Sequence, residues 1–531
     1  MIICQFVKPW QVLSVFFNVS RGFRHVFCRR CGQIPRPATI CVAHLRAKLT
    51  MPSATLPAVI ALYFLLLLAL AWFTSRRADN ESFFIGNRKS HWLLVAFGMV
   101  GTTLSGVTFV SVPGTVGPNG FSYLQVVIGN WIGFMVIATV LLPLYYRLRL
   151  TSIYDYLGQR FSPTAHKTGA LFFILSRTLG ATARLYLVVA VLQLLVADRW
   201  GFPFAATTGV ILLMIWLYTF QGGVKTIVFT DTLQTAGMLG GLVVCVVFLG
   251  NALGGDWPKL ASDLQTSPLT RIWNTDPNAA GFWVKQVLGG AFIGIAMVGL
   301  DQEMMQKNIS VAKLRDSQKN MLLFSLVLLV VNLLFLILGA FLALFAEAHG
   351  VSARGDTLFP TVVMQHFPEW VQIIFFIALI SALFPSADGA LTALTSSFCI
   401  DILGLQKRTD LSAAKARRTR QITHIAFALL FFVLVMVFRW VDDRSIIDTI
   451  LKLAGYTYGP LLGLFMFGLF TKRTLNRGLL VAVVVAPLAS FALQRALAAN
   501  PAGFQLGIEL LIVNGALTFA LLWVFSSKAT R

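Results

Sequence analysis

The sequence predicts an all-α polytopic membrane protein with about 13 transmembrane helices, on three observations. First, 57% of its 531 residues belong to the set AVILMFWYC. Second, only 12% are charged, whereas a soluble globular protein carries about a quarter. Third, apolar stretches of roughly 20 residues, the length that crosses a bilayer, recur along the chain between short polar links. Together these observations exclude a soluble enzyme.

Thirteen apolar windows mark the predicted helices, with ends defined to within a few residues. They lie at about 56–75, 92–113, 121–146, 168–196, 203–220, 227–253, 282–301, 320–346, 370–399, 422–438, 446–470, 478–493 and 507–526. Because the number of spans is odd, the two ends of this region are expected on opposite sides of the membrane.

Lysine and arginine residues are distributed unevenly between the links. Alternate links, beginning with residues 76–91, hold twenty-four of them, with Lys307 counted among these, against seven in the remaining links. Basic links stay on the cytoplasmic side, so the Met51 end is predicted outside and the C-terminus in the cytoplasm. The plasma (inner) membrane is the expected location. This distribution also accounts for the net charge of +22, and no nucleic-acid partner is expected.

The first fifty residues differ from the rest of the chain. They carry eight Lys and Arg and no acidic residue, and in the predicted orientation they would have to cross to the outside. We therefore expect residues 1–50 to be a non-native or disordered extension, with translation starting at Met51, and residues 51–531 to form the membrane domain. The alternative is a small metal site, because four side chains have the types and spacing of zinc ligands: Cys28, Cys31, Cys41 and His44.

The second window contains residues that a simple transmembrane helix avoids. They are Gly98, Gly101, Gly106, Pro113 and Gly114. A helix is expected to unwind here, and unwound backbone inside a membrane lines a cavity, where its carbonyl groups can coordinate a small cation. The alternative is a kink that binds nothing.

The ninth window has a similar feature at Pro385, which removes a backbone donor and frees a carbonyl one turn earlier. Ser386 and Asp388 follow it and add oxygen atoms. A carboxylate at membrane depth costs at least about 2.5 kcal/mol on insertion scales and indicates a functional site. Asp231, near the start of the sixth window, can be interpreted in two ways. It is either a functional carboxylate of the same kind or an interfacial residue at the start of a helix, where an acid is favoured.

Several segments, in their order and spacing, resemble a known family over residues 51–531. They are 82–88 (SFFIGNR), 105–109 (SGVTF), 151–161 (TSIYDYLGQRF), 222–234 (GGVKTIVFTDTLQ), 301–307 (DQEMMQK), 396–401 (SSFCID) and 458–470 (YGPLLGLFMFGLF). The sequence resembles the sodium:solute symporter family. The resemblance implies a core of ten helices in two inverted repeats of five, with one helix before it and two after, and with the first and sixth core helices discontinuous.

The resemblance also implies two cation sites. The common sodium site falls on the carbonyls of Gly101, Leu104 and Ala382 and on the side-chain positions Pro385 and Ser386. Pro385 departs from the family pattern because it has no hydroxyl group. The second site of some members falls on Asp231, Asp388 and Gly389. The carboxylate of Asp388 could compensate for the missing hydroxyl, or it could bind a proton.

These features predict a secondary active transporter that takes up a small organic solute with sodium by alternating access. The expected solute-binding residues are Thr102, Thr103, Ser105, Thr108 and Asn130, with Gln286 opposite them. Sodium is the expected coupling ion and no other cofactor is expected; the expected partners are the solute, sodium and the lipid bilayer. A proton-coupled symporter and a transport-inactive sensor are the alternatives. A membrane enzyme is disfavoured because the sequence contains none of the common catalytic motifs.

Overall fold

A computed structural model describes residues 55–75, 80–220, 222–408, 410, 412–441, 446–475, 478–499 and 504–528. The predictions for residues 1–50, including the possible zinc ligands, lie outside these ranges. Every extended regular element in the described ranges is a helix. The predicted all-α fold is therefore confirmed.

Nineteen helices, leaving out single turns, build the described part of the chain. They are α1 Thr55–Ser75, α2 Asn80–Ile85, α3 Trp92–Thr103, α4 Gly106–Asn119, α5 Tyr123–Arg147, α6 Asp155–Arg160, α7 Pro163–Leu195, α8 Phe204–Thr219, α9 Gly223–Ala252, α10 Trp257–Thr266, α11 Trp283–Gly299, α12 Gln302–Ile309, α13 Leu314–Ala348, α14 Leu358–His366, α15 Glu369–Ile402, α16 Ala413–Val441, α17 Ile446–Phe470, α18 Gly478–Ala498 and α19 Leu510–Phe525.

Each of the thirteen apolar windows contains a helix. Nine helices of the described ranges are long and apolar enough to cross a membrane, or eleven spans when each of two bent pairs counts as one. The two remaining windows hold α8 and α19, which are apolar but have 16 residues each, short of the roughly 20 that a span needs. The count of thirteen therefore stays a prediction.

Helix α13 shows how the apolar windows divide between lipid and protein. One face presents exposed apolar side chains three to four residues apart: Leu322, Leu326, Val330 and Leu333. The opposite face buries Phe324, Leu328 and Phe335. A helix that is apolar on all sides in this way satisfies its own backbone hydrogen bonds and can face lipid on one side and protein on the other.

Two of the windows contain broken helices. Helices α3 and α4 are bent by 58° at Leu104 and Ser105, and α11 and α12 by 63° at Leu300 and Asp301. These pairs open the first and second sets of five core helices, so the discontinuous first and sixth core helices are confirmed. By contrast, α15 runs through Pro385 as one helix.

Glycines let α5 and α11 approach until their backbones touch. A Cβ atom on Gly129 would lie 2.2 Å from the carbonyl oxygen of Val287, and one on Gly290 would lie 2.3 Å from that of Val126. Small residues at helix crossings are the usual basis of close packing in membranes, where the hydrophobic effect does not draw helices together. This contact joins the second core helix to the sixth beside the breaks.

Candidate ion and solute site

The first break leaves backbone carbonyl groups available. Leu104 ends α3 with φ −84° and ψ 75°, and Ser105 is extended before α4 begins. No hydrogen bond to the carbonyls of Gly101 or Leu104 is formed within the part of the chain that the structure describes. Because an unpaired carbonyl in a dry interior is costly, these two oxygens are suited to binding a cation.

The second break is held by a buried carboxylate. Asp301 accepts hydrogen bonds from the N–H groups of Glu303 at 2.9 Å and Met304 at 3.2 Å, and so caps α12. Its other oxygen accepts the hydroxyl of Tyr458 at 2.7 Å. All eight residues of α12 are buried, so the break is stabilised by side chains of the protein rather than by solvent.

Lys307 of α12 forms a buried ion pair with Asp231 of α9. Its Nζ lies 2.7 Å from Asp231 Oδ2 and 2.6 Å from the hydroxyl oxygen of Thr102 on α3, and the residue is only 2% exposed. The assignment of Lys307 to a solvated cytoplasmic link is therefore wrong. The prediction failed because this lysine lies just beyond the end of the seventh apolar window, where charged residues usually belong to a solvated link. The excess of basic residues in the predicted cytoplasmic links does not depend on it.

A second cation, Arg177 of α7, joins the same cluster. Its guanidinium binds the carboxylate of Glu303 and lies 3.8 Å from Asp301 Oδ2. Glu303 Oε1 is in turn 3.7 Å from Lys307 Nζ. Three helices, α7, α9 and α12, thus contribute charged groups to one buried network together with Asp301 at the second break. Helix α3 borders this network through Thr102.

Asp388 of α15 is buried without a cation. Its Oδ2 accepts the hydroxyl of Tyr218 at 2.6 Å and its Oδ1 accepts the N–H of Gly389. No lysine or arginine nitrogen lies within 4 Å of it among the described residues. Gly389 faces the network directly, because a Cβ atom there would lie 2.2 Å from Glu303 Oε1. Of the three predicted second-site residues, Asp231 therefore touches Lys307, Gly389 borders Glu303, and Asp388 has no Lys or Arg nitrogen within 4 Å among the described residues.

The other predicted sodium ligands lie on α15, which packs against α9 and α3. Ala382, Pro385 and Ser386 are all buried, and the hydroxyl of Ser386 donates to the carbonyl of Leu383 at 3.0 Å. Gly101 lies against α9, because a Cβ atom there would come within 2.2 Å of the hydroxyl oxygen of Thr235. Helices α3 and α15, which carry the predicted ligands, therefore both pack against α9.

A cavity lies beside the first break. Its lining includes five of the six predicted solute-binding residues: Thr102, Thr103, Ser105, Thr108 and Asn130. The hydroxyl of Thr103 and the amide oxygen of Asn130 have no hydrogen-bond partner among the described residues. Gln286 is not part of this lining; its amide donates to the carbonyl of Ala280 at 2.8 Å.

Arg184 also lines the cavity. It lies two turns after Arg177 on α7 and is half-buried. No carboxylate lies within 4 Å of it in the described ranges. The sequence indicated only that these arginines could pair with acids or reach an interface; the structure pairs Arg177 with Glu303 and leaves Arg184 facing the cavity.

Comparison with known proteins identifies the family. The model of the sodium:solute symporter family matches residues 83–486. This chain belongs to that family. The resemblance found in the sequence is therefore confirmed, and the symporter is a sodium-coupled secondary transporter of a small solute rather than an enzyme.

Relatives of this symporter are named for sodium-coupled transport of several solutes. The sodium/sialic acid symporter of Proteus mirabilis is 21% identical over 445 residues, which cover 80% of this chain and 86% of the relative. The sodium-coupled monocarboxylate transporter 2 of Danio rerio is 25% identical over 429 residues, 78% of this chain and 67% of the relative. A solved structure of a sodium-coupled sialic acid symporter in a substrate-bound outward-open state aligns with a TM-score of 0.76 at 18% identity, covering 88% of this chain and 97% of that chain. That alignment establishes the shared inverted-repeat fold.

Proposed function

We propose that this symporter takes up a small organic carboxylate together with sodium. The observation that carries the proposal is Arg184, whose guanidinium lines the cavity with no carboxylate within 4 Å in the described part of the chain. A charged group at membrane depth is costly unless something compensates it. A planar guanidinium suits a carboxylate because it donates two parallel hydrogen bonds to it.

The rest of the cavity supports a polar anion of modest size. Thr103 and Asn130 offer a hydroxyl and an amide oxygen that have no partner among the described residues, while Phe134 and Met297 provide apolar walls. Two relatives are named for sialic acid and for monocarboxylates, and both of these solutes carry a carboxylate. Arg184 would bind that group while Thr103 and Asn130 would bind the remaining polar atoms.

Sodium would bind between the first break and α15. The carbonyls of Gly101, Leu104 and Ala382 and the hydroxyl of Ser386 are the proposed ligands, in keeping with the use of unwound backbone for cations in transporters. Pro385 offers no hydroxyl, so this site has one ligand fewer than the family pattern. Asp388, one turn further along α15, would supply negative charge close to the ion.

The membrane and orientation belong to the same proposal. The protein would lie in the plasma membrane with its Met51 end outside and its C-terminus in the cytoplasm, as the distribution of basic residues favours. On that orientation α12 lies on the cytoplasmic side of the cavity. The side chain of Gln302 bonds the N–H of Ile153 at 2.9 Å and the carbonyl of Thr151 at 3.1 Å there, and so helps to close that side.

Uptake of radiolabelled carboxylates into liposomes, with and without an inward sodium gradient, tests the proposal. Arg184→Gln should lower sodium-driven uptake about tenfold or more, because a charge-assisted hydrogen bond contributes about 1.5–3 kcal/mol. Arg418→Gln, at an exposed arginine of α16, is the matched control and should transport normally. Equal uptake by the parent and Arg184→Gln, or sodium-driven uptake of neutral solutes alone, would refute the assignment of a carboxylate.

A further inference from the structure

The ammonium group of Lys307 occupies a position suited to a free cation. We propose that Lys307 is a built-in cation that takes the place of an exchangeable second ion at Asp231, so that the symporter binds one sodium ion rather than two. The proposal rests on the sodium coupling described above, and it assigns to Lys307 the role of setting the number of coupled ions.

The geometry around the ammonium resembles that of a bound ion. Its nearest oxygens come from three helices: Thr102 on α3 at 2.6 Å, Asp231 on α9 at 2.7 Å and Glu303 on α12 at 3.7 Å. Asp231 is fully buried and Lys307 is 2% exposed, so neither group exchanges its partner with water. A sodium ion needs the same oxygens and the same carboxylate charge. Two cations on one carboxylate would repel each other in a medium of low dielectric constant.

The charges of the network show which group still needs a cation. Lys307 compensates Asp231, and Arg177 compensates Glu303. Asp301 is stabilised by Arg177 at 3.8 Å and by the N-terminus of α12, whose N–H groups it caps. Asp388 has only the hydroxyl of Tyr218 and the N–H of Gly389. One exchangeable cation near Asp388 therefore completes the charge balance, and a second has no uncompensated carboxylate to bind.

Removal of the lysine charge should open the second position. In Lys307→Met the side chain keeps about the same length, but Asp231 loses its cation and remains buried beside Thr102. A buried carboxylate without a partner is strongly unfavourable, so sodium is expected to enter. The double variant Lys307→Met with Asp231→Asn removes both charges and should return the protein to a single sodium ion.

Binding of radioactive sodium to the purified full chain in detergent tests this inference without knowledge of the solute. We expect one sodium ion per protein for the parent, two for Lys307→Met and one for the double variant. Lys307→Arg, which keeps the positive charge, should also bind one. Two ions per parent protein, or a single ion in both the parent and a folded Lys307→Met, would overturn the proposal.

The parent alone keeps the proposal falsifiable if Lys307→Met does not fold. A parent that binds one ion meets a necessary condition of the proposal, and Lys307→Arg, which keeps the positive charge, must then also bind one; two ions in Lys307→Arg would contradict the proposal. A parent that binds two ions contradicts the built-in cation while leaving sodium coupling intact. A parent that binds no sodium contradicts the sodium coupling itself, which is a different failure.

Discussion

Asp388 is the residue on which the proposed sodium site would depend most. It follows Pro385, which stands where the family resemblance places a hydroxyl ligand, and no Lys or Arg nitrogen lies within 4 Å of its carboxylate among the described residues. Tyr218 holds the carboxylate in place through a hydrogen bond of 2.6 Å. Negative charge at this point of α15 would offset the missing ligand by raising the electrostatic attraction for a cation.

Asp388→Asn should therefore weaken sodium binding. Since tenfold in affinity corresponds to about 1.4 kcal/mol, loss of a full charge in a buried site should raise the sodium concentration for half-maximal binding at least about tenfold. Tyr218→Phe keeps the charge and should have a smaller effect. Asp316→Asn, whose carboxylate forms an exposed ion pair with Lys319, is the control. A sodium titration of Asp388→Asn that coincides with that of the parent would show that this carboxylate is not near the ion.

Some residues of the candidate site could be predicted from the sequence and others could not. Pro385 and Asp388 stand out because a proline and an acid interrupt an apolar window. Lys307 and Glu303 were missed as site residues because they follow a window and resemble the charges of a solvated link. Their spacing of four residues, which puts them on one face of a helix, was the available signal. The pairing of Lys307 with Asp231 depends on packing of α12 against α9, which no local pattern contains.

Among the elements, the tightly packed pair α5 and α11 sets the position of the sixth core helix. The two helices touch through glycines, so their separation is fixed by backbone atoms and not by side chains that could adjust. The break after α11 therefore has a fixed support on one side. Both the cavity and the capped start of α12 depend on that support.

Gly290→Ala should destabilise the symporter for this reason. Its new Cβ atom would lie 2.3 Å from the carbonyl oxygen of Val126, and overpacking of this kind costs about 1–3 kcal/mol. Gly240→Ala, on α9 where nothing lies within 4 Å, should be neutral or stabilising by up to about 1 kcal/mol, since alanine favours helix. Thermal unfolding of the two variants in detergent compares them. Equal melting temperatures would mean that α5 and α11 separate without cost.

Helices themselves were predictable because long apolar windows have few other structures open to them in a membrane. The break in the second window was visible in its glycines and proline. The break at Leu300 and Asp301 was expected only from the family resemblance, because no proline marks it and its stability comes from the carboxylate of Asp301. The link helices α10 and α14 were not predicted, since they are short and lie outside the apolar windows.

For the whole molecule, composition was enough to predict a polytopic membrane protein, and the order of short motifs was enough to predict its family. The solute was not predictable, because the cavity combines side chains from α3, α4, α5, α7 and α11 that are far apart in the chain. The sequence does not distinguish Arg184 from Arg177; the structure does, because it pairs Arg177 with Glu303 and leaves Arg184 facing the cavity. The orientation in the membrane, by contrast, was predicted from the distribution of lysine and arginine between the links alone.

Labelling of single cysteines in intact cells tests that topology. Ser262→Cys on α10 and Ser412→Cys before α16 are both exposed, and the two cysteines of the membrane domain, Cys245 and Cys399, are buried. A membrane-impermeant maleimide should label Ser262→Cys in intact cells, and Ser412→Cys only after the membrane is opened. The reverse pattern would mean that the orientation is inverted.

If Lys307 replaces a second ion as proposed, it would also determine how the membrane voltage acts on transport. A carrier that moves one sodium ion together with one monovalent anion moves no net charge, although each unpaired charge would gain about 2.3 kcal/mol per 100 mV. Uptake would then be electroneutral, and the solute would accumulate only in proportion to the sodium concentration gradient. By fixing one positive charge within the protein, the lysine would let a cell continue to import the solute after its membrane has depolarised.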